Sequence, residues 1–211
     1  MQRIMIAGIG TNVGKTIVSA IVTTLMDGDY WKPVQSGPEN DSDVFMMKNL
    51  INTSEHKIYD PSYNLKAPLS PHHAARLENI IVDPTTIIPP RTARPLIIES
   101  VGGVLVPLTT KLLTIDLFKS WDCKWIIVSK HYLGSINHTL LTLEQLKRSN
   151  VDIAGLIFNG QSDSDSEDAI LEITKLPLLG RLLPEKELNP KIIQRYAKQW
   201  KPCFKKLNMT P

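Results

Sequence analysis

Gly8-Ile9-Gly10-Thr11-Asn12-Val13-Gly14-Lys15-Thr16 stands between an apolar run, Arg3 to Ala7, and a stretch with helical spacing, Lys15 to Met26. A strand, a glycine-rich turn and a helix in immediate succession form a cradle for phosphate groups. Glycines let backbone N–H groups turn inward around the phosphates. The helix N-terminus adds partial positive charge. Lys15 reaches the outer phosphates, and the Thr16 hydroxyl can ligate magnesium. Gly8 precedes Gly14 by one position more than G-x-x-x-x-G-K-[ST] allows, and Gly10 supplies a closer glycine.

The rest of the chain repeats the alternation of short apolar runs and longer helix-like stretches. Strands are expected at Tyr30 to Val34, Pro95 to Glu99, Trp125 to Ser129, Ile153 to Asn159 and Leu178 to Leu182. Helices are expected at Asp43 to Leu50, from Pro71 behind a Ser70 cap, and at Thr114 to Trp121, Ile136 to Ser149, Glu167 to Thr174 and Pro190 to Trp200. In the first helix, Ile17, Ala20, Ile21, Thr24 and Leu25 share one face. The pattern predicts a single α/β domain over residues 1–211, with a mostly parallel sheet covered by helices on both faces. Leu77 to Arg94, with several prolines, reads as a surface connection. The acids of Gln161 to Asp168 read as a loop and a helix N-terminus.

The balance of 42% apolar and 21% charged residues is that of a globular chain. A net charge of +3, with one short basic stretch at Lys201 to Lys206, gives little electrostatic case for nucleic acid. Cys123 and Cys203 read as free thiols of a reducing compartment. No run approaches the ~18 apolar residues of a membrane span. A cytoplasmic protein without membrane or nucleic-acid partners is expected.

In a parallel sheet, ligands sit beyond the carboxyl ends of the strands. Lys32 to Gly37 follows the second strand, Glu99 to Gly103 the next, Lys130 to Asn137 another, and Asn159 ends the fourth in this series. Lys32 is either a second cation near the phosphates or an exposed lysine. Asp43 and Glu99 are hard oxygen ligands suited to magnesium. Asp43 is alternatively a helix cap, a task open to Asp41 or Ser42 as well. Glu99, a charge at the end of a buried strand, needs a partner.

These residues, in this order, resemble the dethiobiotin synthetase family of biotin biosynthesis. The matching pieces are Gly8 to Thr16, Lys32-Pro33-Val34-Gln35-Ser36-Gly37, Ser42-Asp43, Ala67 to His72, Glu99 to Gly103, Leu133-Gly134-Ser135-Ile136-Asn137-His138, Asn159, and Leu178-Leu179-Gly180 followed by Pro184. The resemblance implies a phosphate-loop NTPase fold. It also implies ATP-dependent ring closure of 7,8-diaminopelargonic acid with carbon dioxide, through a carbamate and a carbamic-phosphoric anhydride, with Mg2+ as cofactor. By this resemblance Lys15 and Lys32 are catalytic, and Thr16, Asp43 and Glu99 hold the metal. ATP is bound by Gly10, Thr11, Asn12, Val13, Gly14, Lys15 and Thr16, with Asn159 at the adenine edge and backbone near Pro184 over the base. Thr11, Lys32, Ser36 and Gly102 face the diamine or its carbamate. The family is a homodimer, so Leu133, Gly134, Ser135, Ile136 and Asn137 are expected to reach the partner subunit's substrate.

Departures are visible too. Asn12 stands where many members have an acid, and Ser100-Val101 replaces a smaller pair. His72 either borders the substrate or is a solvated imidazole beside His73 at a helix start. Two rivals share the fold. A regulatory or partitioning ATPase usually opens its loop Lys-Gly-Gly, where this chain has Gly10-Thr11. Another ring-closing ligase usually adds a glutamine-hydrolysing domain, for which this chain has no room.

Overall fold

The structure, a computed structural model, describes residues 2–209; Met1, Thr210 and Pro211 of the expected 1–211 domain lie outside them. Seven strands form one wholly parallel sheet: β1 (Arg3–Gly8), β2 (Asp29–Trp31), β4 (Ile58–Tyr59), β6 (Leu96–Gly103), β7 (Lys124–Lys130), β8 (Asp152–Asn159) and β9 (Leu178–Leu182). Their order is β4-β2-β6-β1-β7-β8-β9. β3 (Val34–Ser36) and β5 (Tyr63–Leu65) pair in a small parallel sheet of their own. The helices are α1 (Lys15–Leu25), α2 (Asp43–Leu50), α3 (Pro71–Leu77), α4 (Thr114–Phe118), α5 (Ser135–Arg148), α6 (Ser164–Thr174) and α7 (Pro190–Lys206).

Alternation along the strands sends side chains to two cores. Ile4, Ile6, Tyr30, Ile97, Ile126 and Val128 face one core with α1, α2 and α7. Met5, Ala7, Trp31, Ile98, Trp125 and Ile127 face the other with α3, α4, α5 and α6. Helices therefore cover both faces, as the buried apolar runs require. β1 lies between β6 and β7, and the chain crosses over it between those two strands. That places the loop after β1 at a topological switch point, where α/β sheets bind ligands.

Several expected boundaries move. The single strand Tyr30 to Val34 is two, β2 and β3, in different sheets. Pro33 has no N–H to continue a ladder, and its carbonyl instead accepts from Ser62 and Tyr63 N–H. β6 runs on through Ser100-Val101-Gly102-Gly103, past the expected end at Glu99. α4 is shorter than expected, and α7 continues to Lys206 through Pro202, whose exposed side tolerates the missing donor. α1 is buried almost all round, because α7 packs beside it on the same face of the sheet, against β9. Val18, Ser19, Val22 and Thr23 are inside as well, whereas Ile17 and Thr24 are partly buried, Ile17 still packing against the core. Each fully buried aliphatic side chain here contributes about 1.5–3 kcal/mol.

Cys123 and Cys203 are both free, and burial pushes the Cys123 thiol up to about 12. Asp163 caps α6, accepting from Ser166 N–H. Glu167, in the first turn of α6 as expected for these acids, turns inward onto His131 (3.0 Å) and Arg181. Among the described residues no helix is long and apolar enough to cross a membrane.

Candidate active site

The β1–α1 loop opens onto a cleft of about 770 Å³ at the carboxyl edge of the sheet. Two backbone conformations shape the loop. Asn12 adopts φ 57 and Gly14 φ 96, left-handed values that asparagine tolerates and glycine adopts freely. A side chain at Gly14 would also run into the Asn159 amide. That amide donates to Val13 O at 2.8 Å, tying the end of β8 to the loop. Lys130, at the end of β7, reaches Asn12 O at 3.4 Å.

Lys15 is buried and its ammonium donates to Gly10 O at 2.8 Å. Burial is the main influence on it, and with the nearby Lys32 charge it outweighs the pull of Glu99 and Asp43. The amine is lowered to about 8. Lys32, just beyond β2, donates to Glu99 Oε1 at 3.1 Å and to Asp43 Oδ2. Burial works against its charge, but Glu99 and Asp43 prevail and hold Lys32 above the usual lysine range. Burial likewise opposes the Asp43 charge, and Lys32 and Thr16 overcome it, so Asp43 lies below the usual carboxylate range.

The cap of α2 is Ser42, which accepts from Phe45 N–H at 3.1 Å, while the side chain of Asp41 is outside the described part. Asp43 is thereby left free to face the cleft. Its own N–H donates to Gln35 Oε1 at 3.3 Å. Glu99, only 1% exposed, lies opposite Ile6 in the β6–β1 register. The Thr16 hydroxyl sits 2.9 Å from Glu99 Oε1 and closer still to Asp43 Oδ1. That hydroxyl has one proton to place between two carboxylate oxygens. Counting the hydroxyl itself, three hard oxygens thus converge there, a donor set that suits Mg2+, which commonly takes one or two carboxylates beside phosphate oxygens and water. Among the described residues no cluster of three or more His, Cys, Asp or Glu competes with it.

Thr11, Asn12, Gly14, Lys15, Thr16, Lys32, Ser36, Asp43, Glu99 and Gly102 all line the cleft. The Ser36 hydroxyl is buried without a partner among the described residues. Gly10 and Val13 belong to the loop's inner turn. Pro184 is exposed and does not line the cleft; it follows Leu182, the residue paired with Asn159, by two positions. None of Leu133, Gly134, Ser135, Ile136 and Asn137 lines this cleft either. Leu133 is fully exposed. His72 and His73 are absent from the lining, although Ser70 and Pro71 are in it.

Two contributors lie outside the expected site residues, although Gln35 stands within the Lys32 to Gly37 motif. Gln35 orients the start of α2, and Tyr30 donates its buried hydroxyl to Glu99 Oε2 at 2.8 Å. Burial, with the Glu99 and Asp43 charges, holds the Tyr30 phenol well above its usual range, so it stays a donor. Only the β2–β6 register reveals Tyr30. Met46, Leu69, Pro71, Val101 and Val106 add apolar surface to the lining of the same cleft. The cleft thus offers cations and hard oxygens together with apolar surface that methylene groups can cover.

A family model described as an AAA domain matches residues 2–191. The ATP-dependent dethiobiotin synthetase BioD of Chlamydia pneumoniae is 46% identical over 201 residues, 95% of this chain and 90% of the relative. The enzyme of the same name from Agrobacterium fabrum is 42% identical, over 92% of this chain and 91% of the relative. The chain belongs to the dethiobiotin synthetase family.

Solved structures show the fold of this dethiobiotin synthetase family member again at greater distance. A plasmid partition protein from Borrelia burgdorferi, bound to AMPPNP, aligns with TM-score 0.61 over 97% of this chain and 98% of its own, at 15% identity. The cell division ATPase MinD of Pyrococcus furiosus aligns with TM-score 0.59 at 14% identity over 96% of this chain and 100% of its own. At such identity these neighbours establish the phosphate-loop architecture alone. Membership of the synthetase family decides against the partitioning-ATPase rival.

Proposed function

We propose that this chain, working as one domain and as a homodimer, is an ATP-dependent ligase that closes 7,8-diaminopelargonic acid and carbon dioxide into dethiobiotin. The observation that carries the reading is the gathering of Lys15, Lys32, Asp43 and Glu99 around one cleft, in a chain 46% identical to a dethiobiotin synthetase.

One amine of the substrate takes up carbon dioxide as a carbamate. A carbamate oxygen then attacks the γ-phosphorus of ATP, the bond to the β-phosphate oxygen breaks, and ADP leaves. The second amine attacks the carbamoyl carbon of the resulting anhydride. The ureido ring closes and phosphate departs with the oxygen that came from carbon dioxide. Thr16, Asp43 and Glu99 would hold Mg2+, which when bound neutralises charge on the nucleotide's phosphates.

Lys15 meets the transferring phosphoryl group from the loop side. Lys32 meets the carbamate once Asp43 and Glu99 have another cation to face. Thr11, Ser36 and Gly102 face the carbamate, with the apolar lining residues beside the methylene chain. Asn159 and the backbone near Pro184 border the base, and Leu133 to Asn137 extends toward the other subunit's substrate. No protein nucleophile is needed, because positioning and electrostatic clamping supply the rate. The test is mass spectrometry of protein, MgATP, diaminopelargonate and bicarbonate. Dethiobiotin forms only when all are present; ATP binding without dethiobiotin would leave the fold and remove the reaction.

A further inference from the structure

Glu99 carries its charge in an almost dry part of the protein, 1% exposed. Its two oxygens have different surroundings. Oε1 faces Thr16 Oγ1 at 2.9 Å and Lys32 Nζ at 3.1 Å. Oε2 accepts from the Tyr30 hydroxyl at 2.8 Å, and the only donor to it among the described residues is that phenol.

The sheet dictates this pairing. Tyr30 lies opposite Ile97 in the β2–β6 register. Glu99, two residues further along β6, shares that face and is a diagonal neighbour within reach of a long side chain. Lys32, two residues beyond Tyr30, emerges on the same side. Tyr30 itself is wholly buried and does not line the cleft.

We propose that Tyr30 is a positioning residue for the metal site: its hydroxyl fixes one oxygen of Glu99, so that the other is presented toward Thr16 and the metal. The proposal rests on Glu99 being a metal ligand, as in the proposed function. A carboxylate is two-fold symmetric about its terminal torsion and is free to swing unless one end is held. Tyr30 holds it from the core side, where neither nucleotide nor substrate reaches. Outer-shell partners of this kind typically change metal affinity by about 10–100-fold when removed.

Tyr30→Phe deletes one oxygen and keeps the ring's packing. The readout is Mn2+ affinity of the ADP-loaded protein, by electron paramagnetic resonance, together with the Mg2+ concentration that half-activates turnover. The Mn2+ dissociation constant and the half-activating Mg2+ concentration are both expected to rise about tenfold, with kcat at saturating Mg2+ within about two- to threefold of the wild type. In a Glu99→Gln background the same change is expected to have no further effect on Mn2+ affinity, because Tyr30 acts through Glu99.

Lower thermal stability with unchanged Mn2+ affinity would make Tyr30 structural and overturn the proposal. Unchanged Mn2+ affinity in Glu99→Gln alone would instead overturn the assignment of Glu99. A measurement needing no substitution covers failure of Tyr30→Phe to fold. The Tyr30 hydroxyl proton is expected as a slowly exchanging NMR resonance with and without Mg2+ and ADP. Its loss on Mg2+ binding would show that the hydrogen bond does not persist in the metal-bound site, and would also overturn the proposal.

Discussion

The Lys32 ammonium is shared between Asp43 and Glu99, the latter across 3.1 Å, so the two proposed metal-binding carboxylates already face a cation in the free protein. Removing that cation leaves Glu99 buried with uncompensated charge. Breaking a buried pair from one side costs about 3–5 kcal/mol, and partial exposure of Asp43 places this case near the lower end. Lys32→Ala is expected to lose about 3 kcal/mol in chemical denaturation without metal and to recover much of it with MgADP. Turnover is expected to fall at least 10²–10³-fold, roughly the loss seen when one preorganised charge donor is removed, while ATP still binds. Wild-type turnover in that variant would take Lys32 out of the site.

Lys15 gives the site a pH signature. Burial lowers its amine to about 8 in the free protein, and bound phosphates favour the charged form. Nucleotide binding near pH 8 should therefore take up a proton, and affinity should fall as pH rises past 8, by up to about tenfold per unit. Calorimetry in two buffers of different ionisation enthalpy detects the uptake; identical heats would contradict it. The linked stability effect runs the other way. The folded value lies below the unfolded one of about 10.4, so between about pH 8 and 10 the unfolded chain holds more protons. Charged Lys15 therefore costs stability at neutral pH, and that cost is relieved as pH climbs through this window.

Gly14 and Asn159 test the loop's geometry. Gly14→Ala places a methyl group against the Asn159 amide at a left-handed backbone position. About 1–3 kcal/mol of destabilisation is expected, with loss of ATP binding by fluorescence titration. Adding Asn159→Ala removes the collision but leaves the strain, so the double variant should recover part of the stability. No recovery would mean that the contact with Asn159 is not what excludes a side chain.

The segment after β7 tests the assembly. Leu133 is wholly exposed, with Tyr132, Leu105 and Leu141 also open to solvent. Leu133→Asp is expected to move the protein from dimer to monomer in sedimentation velocity and to lower turnover. A wild-type protein that sediments as a monomer at micromolar concentration would remove the trans role of Leu133 to Asn137.

The motif and the strand-edge rule made much of the site legible in the sequence. The loop from Gly8 to Thr16 is contiguous, and Lys32, Asp43 and Glu99 come from segments that follow or end strands meeting one edge. Other features depend on tertiary partners. Pro33 splits an apparent strand because its neighbours pair in another sheet, and β4 and β5 are too short to show a period. Glu167 reads as an acid near a helix N-terminus, and only the fold brings His131, just after β7, and Arg181 of β9 onto it. Tyr30 reads as core, and only its register with Ile97 brings its hydroxyl to Glu99.

A carbamate oxygen is expected to be phosphorylated in the cleft beside Lys15 and Lys32. Turnover with diaminopelargonate, MgATP and 18O-labelled bicarbonate, analysed by mass spectrometry, tests it most directly. The expected products are dethiobiotin and released phosphate carrying one 18O from bicarbonate. Phosphate without label, formed at the same rate as dethiobiotin, would contradict it.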